Sequence, residues 1–323
     1  MAVQKRSLIG FDFGSDSFKA VQLERIKNQY TLVAADIFPP VDITNPSVSL
    51  PELPEIFNAS YAALCLSHDQ SAIRILTLPD IGDSTAQIRE QFGPGTDFRF
   101  TQLPISPPGT KPSRILAAAL PEKVIEAGLS LFQSGPPALC NLEISGASTI
   151  AAALFTLGEE AAQGPLCFLD VGARATFVFF MNRGDPVLIR KYDVGSARFL
   201  EKVQAELHVD QATAIGVLHE GAVDLTKIFH GAMDSVVRQI VISRDFVERN
   251  EKCRIGKIFC SGALSTSLFW RQMLRDMAAM DVEQWNPLDR IAVRPGGFPA
   301  VLQGMETRFS GALGVALNVM GSL

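Results

Sequence analysis

Several kinds of residue pattern are missing from this 323-residue chain, and each absence removes a class of function. Its five cysteines, Cys65, Cys140, Cys167, Cys253 and Cys260, are scattered through mostly apolar segments with no Cys-x-x-Cys pair. That excludes a zinc ribbon or a dithiol redox site and predicts reduced core thiols. The histidines, His68, His208, His219 and His230, show no metal-ligand spacing, and solvated or capping roles are expected of them. No serine stands in a Gly-x-Ser-x-Gly elbow and no cysteine and histidine share a recognisable framework, so covalent hydrolase chemistry has no support. Charge of one sign is never concentrated: the net charge is -5 without a block of like charges, and the clustered basic face that nucleic acid requires is missing. No apolar run approaches the ~18 residues of a membrane span. Met1 to Ser7 enters the first strand pattern without the apolar stretch of a signal peptide, so no direct membrane insertion is expected.

What the chain does have is apolar material and a repeated phrase. At 47% apolar content it can build two or more domains, each with its own core. Ile9-Gly10-Phe11-Asp12-Phe13-Gly14 and Cys167-Phe168-Leu169-Asp170-Val171-Gly172 are both apolar runs that end in Asp-x-Gly. The first is followed by Ser15 to Glu24, a turn at Lys27-Asn28 and Gln29 to Ile37; the second by Thr176 to Met181, a turn at Asn182 to Asp185 and Val187 to Tyr192. Each reads as a three-stranded meander. Two matched units of this kind predict related domains facing a shared site, with a phosphate and its metal as ligand. A glycine turn lets backbone N-H groups approach phosphate oxygens. The hydroxyls of Ser15, Ser17 and Thr176 can donate to an oxyanion, and Lys19, on the face of Ser17, is placed as a phosphate counter-charge. Asp12 and Asp170 supply the hard oxygens that magnesium prefers. Phe177, Phe179 and Phe180 crowd one strand and are expected in the core.

Asp12, Ser15 and Lys19 resemble the first phosphate loop of the actin, sugar kinase and Hsp70 superfamily, and Asp170, Gly172 and Thr176 resemble its second. Within it, Ile9 to Ser15 followed by Ser17 to Leu23 is most similar to the PilM family, the cytoplasmic actin-like components of type IV pilus assembly. Ala117 to Phe132, Asn141-Leu142-Glu143, Tyr192 to Gly195 with Phe199-Leu200, Lys257 to Ala263 and Gly311 to Leu317 extend the resemblance over nearly the whole chain.

The resemblance implies an α/β, actin-like (ribonuclease H-like) fold. Duplicated domains would flank a nucleotide cleft, and the first would carry a small α+β insert. The domain boundaries it implies are 1–54 with 136–163 and 305–323 for the first domain, 55–135 for the insert, and 164–304 for the second domain with a helical lobe. ATP and Mg2+ are the implied cofactors, with Asp12 and Asp170 at the metal and Asp12, Gly14, Ser15, Ser17, Lys19, Gly172, Thr176, Gly195, Gly262 and Ala263 around the nucleotide. Any ATPase activity would be weak, with Asp170 and Glu143 as its catalytic residues. Glu143 stands where related enzymes position the attacking water, and a glutamate opening a helix also serves as a cap or dipole partner.

Three positions depart from the family pattern. Only Gly262 remains where the adenosine motif usually carries consecutive glycines, Gly216 replaces a common lysine near the base, and Arg174 stands inside the second phosphate turn. Arg174 reads either as a phosphate clamp or as a residue projecting to solvent.

The insert pattern runs strand Tyr61 to Leu66, strand Ala72 to Leu78, helix Ser84 to Phe92, strand Phe98 to Pro104, strand Ser113 to Leu120 and helix Pro121 to Gln133. Gly93-Pro94-Gly95 and Pro104 to Pro112 punctuate it as loops. By the resemblance, its groove takes the N-terminal cytoplasmic peptide of a PilN-like membrane protein, and further inner-membrane pilus components are partners. That places the chain in the cytoplasm, held at the inner membrane through others. Downstream, helices are expected at Ser196 to Leu207, Asp210 to His219, Gly231 to Asn250, Leu264 to Met280 and Phe309 to Met320, with a strand at Ile255 to Cys260. A nucleotide-free scaffold of the same fold is the alternative. A small-molecule kinase is a further one, but no segment resembles the acceptor site that its catalytic aspartate would need.

Overall fold

The computed structural model of the chain describes residues 5–45, 48–79, 84–92, 97–107, 110, 112–133, 135–220 and 223–322. It consists of two compact units, Met1–Thr156 with Pro287–Leu323, and Leu157–Asn286. The predicted loop Gly93-Pro94-Gly95, residues 1–4, and residues 108, 109 and 111 of the second predicted loop lie outside the described residues.

In the first unit, β1 (Lys5–Phe13), β2 (Phe18–Ile26) and β3 (Gln29–Phe38) form the antiparallel meander expected from the repeated phrase. Parallel strands β4 (Tyr61–Leu66) and β8 (Ala138–Ile144) continue the sheet beyond β1, and short β14 (Ala292–Val293) pairs with β3 at the far edge. A separate sheet has the order β5-β7-β6, from β5 (Ala72–Leu78), β6 (Phe98–Pro104) and β7 (Ser113–Pro121). Helix α1 (Ser84–Phe92) covers it through Ile88, which shares a small core with Leu78, Ile115 and Ala117. Tyr61–Leu66 is therefore not a strand of the small sheet. Its run is buried from Ala62 onward, as a central parallel strand requires, and it pairs with β1 and β8.

The second unit repeats the plan. Strands β9 (Pro165–Val171), β10 (Thr176–Asn182) and β11 (Asp185–Tyr192) are a second antiparallel meander, followed by parallel β12 (Lys257–Gly262) and β13 (Asp281–Gln284). The sheet order β11-β10-β9-β12-β13 matches β3-β2-β1-β4-β8, so the duplication extends through five strands. Arg183 and Gly184 turn the second hairpin with φ of 54° and 86°, the sign that follows the twist of the flanking strands. Phe168 stacks on Phe179 at 4.6 Å and on Phe259 at 5.5 Å, with Trp285 edge-on at 5.9 Å. Phe177, Phe179 and Phe180 are all buried, as the sequence predicts, and each contributes about 2 kcal/mol by burial.

Helix α2 (Glu122–Ser130) follows β7, and α3 (Ser145–Gln163) follows β8 and is interrupted at Leu157, with φ −115° and ψ 16°. Helices α4 (Ser196–Leu207), α5 (Gln211–Glu220) and α6 (Thr226–Glu251) form the helical side of the second unit, and Phe199 meets Phe229 edge to face at 5.0 Å. Helix α7 (Leu268–Ala278) is capped by Ser267, whose Oγ accepts from the Trp270 amide at 3.3 Å. Among the described residues no helix is long and apolar enough to cross a membrane.

The closing helix α8 (Ser310–Ser322) lies against β1 and α3 at distances that only glycine permits. A Cβ at Gly10 would stand 2.1 Å from the Ala312 carbonyl oxygen, and one at Gly314 would stand 1.8 Å from that of Ser148. Both obstacles are backbone. Gly314→Ala is expected to destabilise the protein by about 2 kcal/mol or more. Gly231→Ala, in an open stretch of α6, should stabilise it by about 0.5–1 kcal/mol. Denaturant melts of the two variants test this, and equal midpoints would contradict the packing described.

Candidate functional site

Three features of the fold carry chemistry, and each is built within one unit. The first is the turn between β1 and β2. Register pairs Asp12 with Lys19, and the Gly14 amide donates to the Ser17 carbonyl at 3.1 Å to close the turn. Lys19 is 7% exposed, and its ammonium lies 3.7 Å from Asp16 and 3.4 Å from the Ser17 carbonyl. It sits directly over the turn: a Cβ on Gly14 would be 3.1 Å from Lys19 Nζ. Arg308 donates to Asp16 Oδ2 and to Ser17 Oγ, both at 3.2 Å, which adds a second cation to the loop. Ser15 is exposed at the tip, whereas the Asp12 carboxylate is 9% exposed beneath Gly311. A Cβ on Gly311 would be 2.8 Å from Asp12 Cγ. The structure thus gathers Asp12, Gly14, Ser17 and Lys19 at one turn, with Asp16 and Arg308 added.

The second feature is the matching end of β9 and β12. Ser261 is the parallel neighbour of Asp170 and donates to its Oδ1 at 2.7 Å. The Gly172 amide donates to the Ala175 carbonyl at 3.0 Å. The amides of Ser196 and Ala197, opening α4, donate to the carbonyls of Gly172 and Ala173 at 2.9 Å each, so this helix start is stitched to the turn. Gly195 and Gly262 permit the convergence: a Cβ would stand 2.3 Å from the Ala173 oxygen in the first case and 2.1 Å from that of Val171 in the second. Gly262 also holds φ 86°, where a side chain is strained. Ala263 then opens a 3-10 helix to Thr266. Thr176 is 3% exposed, and its hydroxyl donates to the Val194 carbonyl at 2.6 Å rather than pointing into the turn. Arg174 is exposed, and Gly216 has open space where a side chain would stand.

Glu143 belongs to the third feature. It is the last residue but one of β8, not the first of a helix, and is the strand neighbour of Cys65, itself the neighbour of Asp12. Its Oε1 accepts from the side-chain amides of Asn141 at 2.7 Å and Asn318 at 2.6 Å, and its Oε2 from the Ser148 hydroxyl at 2.9 Å. Burial pushes its carboxyl pKa up, against the lowering effect of those three donors. Burial likewise raises the neighbouring Cys65 thiol, with the Asp12 charge adding to the effect. Glu143 lines a groove of about 370 Å³ whose walls include Phe100, Leu103, Leu116 and Leu142. Strand β6 is an edge of the small sheet and β8 an edge of the larger one, so two strand edges border it.

No protein-family model matches the chain, and no curated protein matches its sequence. Among solved structures, it is similar to the "PilM-PilN type IV pilus biogenesis complex" with a TM-score of 0.78 at 17% identity, over 96% of this chain and 98% of that one. The fold is actin-like, the fold of PilM. The activator of the 2-hydroxyisocaproyl-CoA dehydratase from Clostridium difficile, solved with bound ADPNP, is more distant: TM-score 0.50 and 12% identity over 98% and 95% of the chains.

On the PilM fold, the residues that sequence reading missed are those contributed from afar. Arg308 reaches Asp16 across 292 positions and Asn318 reaches Glu143 across 175, and no local spacing announces either. Ser261 was legible only as a neighbour of Gly262. Among the described residues no group of three or more acidic, histidine or cysteine side chains could hold a metal alone.

Because the folded pKa of Glu143 lies above its ordinary value of 4.5, the native state holds that proton more tightly than the unfolded chain does. Its favourable contribution is complete below the unfolded pKa and is lost as pH rises through the folded one. Glu143→Gln keeps the three hydrogen bonds, with Nε2 donating to Ser148. It should therefore melt above wild type at about pH 8 and lose that advantage at about pH 4. A melting difference independent of pH would contradict the assignment.

Proposed function

We propose that this chain is a cytoplasmic, actin-like adaptor of type IV pilus or type II secretion-like assembly. It binds ATP with magnesium through its acid-and-glycine turns and docks the cytoplasmic N-terminal peptide of a PilN-like inner-membrane protein. The observation that carries the nucleotide part is the doubling: Asp12 and Asp170 end equivalent strands of two sheets with one strand order, each beside a glycine turn. The likeness to the PilM–PilN structure over 96% of the chain supports the partner, and the groove between the edges of β6 and β8 supports the mode of docking.

The residues fit a nucleotide in specific ways. Lys19 and Arg308 place two cations at the first turn, where a phosphate would find its counter-charge. Magnesium carried by a triphosphate needs one or two carboxylates and keeps its waters, so Asp12 and Asp170 would suffice as its protein donors. The metal supplies charge neutralisation of the phosphates. Asp12 and Asp170 would be the residues that hold it, and Ser261 orients Asp170 by hydrogen bonding. Any hydrolysis would be weak. Glu143 lines the groove bordered by β6 and β8, which favours a role for this residue there over that of positioning water.

The second reading, a scaffold of the same fold that works without nucleotide, is favoured by one observation. The Thr176 proton is committed to the Val194 carbonyl, which leaves the second turn without that hydroxyl as a donor. Titration with a fluorescent ATP analogue separates the two. The nucleotide reading expects Asp12→Ala and Asp170→Ala each to weaken binding about tenfold or more, which is ~1.4 kcal/mol. Equal weak signals from wild type and both variants would leave only the scaffold.

A further inference from the structure

Glu143 is a partly buried carboxylate with no cation at salt-bridge distance among the described residues; all its partners are neutral, two amides and a hydroxyl. A charge removed from water is normally paired, and one left without a counter-charge on the wall of a groove marks a place for the ligand to supply it. The groove is lined by Leu116, Leu142 and Ile144 near Glu143, and its one lining cation among the described residues, Arg99, is bonded to the Glu122 carboxylate.

The hydrogen bonds also limit what kind of cation fits. A carboxylate offers four lone-pair directions, and three are taken: both on Oε1 and one on Oε2. A guanidinium fork needs both oxygens in its plane, whereas an ammonium binds end-on to one. Only the NH2 end of an amide can face a carboxylate, so Asn141 and Asn318 both act as donors to Oε1 and leave the open direction on Oε2. The groove lining runs past Glu143 in both directions, from Asn141 and Leu142 before it to Ile144 and Ala147 after it. A chain lying there passes Glu143 with its middle, which calls for a side chain rather than a terminal amine.

We propose that the groove reads an extended, mostly aliphatic peptide carrying one lysine, whose ammonium docks on Glu143 Oε2. The proposal rests on the peptide-docking part of the reading above and gives that site a specificity determinant. Asn141 and Asn318 then act as positioning residues that hold the carboxylate in one rotamer.

The test uses the full chain and an N-acetylated, C-amidated positional-scanning octapeptide library, with a parallel pool left unacetylated. Wild type should enrich lysine at one position of the acetylated pool, and Glu143→Gln should not. The best peptide and its lysine-to-norleucine analogue are then compared by calorimetry. The exchange should cost about tenfold in affinity on wild type and less than about twofold on Glu143→Gln. Matching melting curves at neutral pH to within a few degrees would show that the variant is folded. Peptides retained without a lysine preference, a preference that persists in Glu143→Gln, or Glu143-dependent capture of free α-amines alone would each overturn the inference while leaving the groove as a peptide site. Retention of no peptide by wild type would remove the docking reading itself and the inference with it.

Discussion

The backbone-to-backbone approach of α8 to β1 and α3 is the constraint on which the first unit depends. It exists because Gly10, Gly311 and Gly314 present no side chain where any Cβ would collide with a carbonyl or a carboxylate. The gain is a helix whose two ends have separate tasks. Near its start, Gly311 lies against the Asp12 carboxylate; two turns later, Asn318 donates to Glu143 on the groove wall. Asp12, Cys65 and Glu143 form one row across β1, β4 and β8, so the same helix holds both ends of that row. Close-packed interiors transmit strain, and α8 is the element that touches both carboxylates.

The second unit reaches the same end with different glycines. Its acid-and-glycine turn is closed by Gly195 and Gly262, which bring the loop after β11 and the end of β12 onto the turn after β9. The equivalent of Cys65, Ser261, has become a hydrogen-bond donor to its carboxylate. The first unit has two cations at its turn, Lys19 and Arg308, where the second exposes a single Arg174. Duplication has kept the strand order and the position of the acid while the surrounding chemistry diverged. That is the pattern of sites grafted on a common fold rather than dictated by it.

Much of this was legible in the amino-acid order because it is local. The two meanders follow from alternation and turn residues, and helix α4 follows from Phe199, Val203 and Leu207 at helical spacing. The boundary of the small sheet was misread because Tyr61–Leu66 and Ala72–Leu78 are adjacent apolar strands, and nothing local says that the first pairs with β1. Glu143 read as the opening of a helix because Ser145 is where α3 starts; strand pairing to β4 keeps the preceding residues extended. Thr176 looked like an oxyanion donor from its offset after Gly172, yet a carbonyl from the loop after β11 takes its proton. In each instance a partner distant in sequence decided the outcome, which composition and periodicity cannot encode.

The central claim, that both acid-and-glycine turns serve one nucleotide, is tested most directly by a crystal structure of the protein grown with ATP and magnesium. The account predicts phosphate oxygens within hydrogen-bonding distance of backbone amides at the Gly14 turn and at the Gly172 turn, with the metal's waters directed to Asp12 and Asp170. Nucleotide density that engages only one turn, or none, would contradict it.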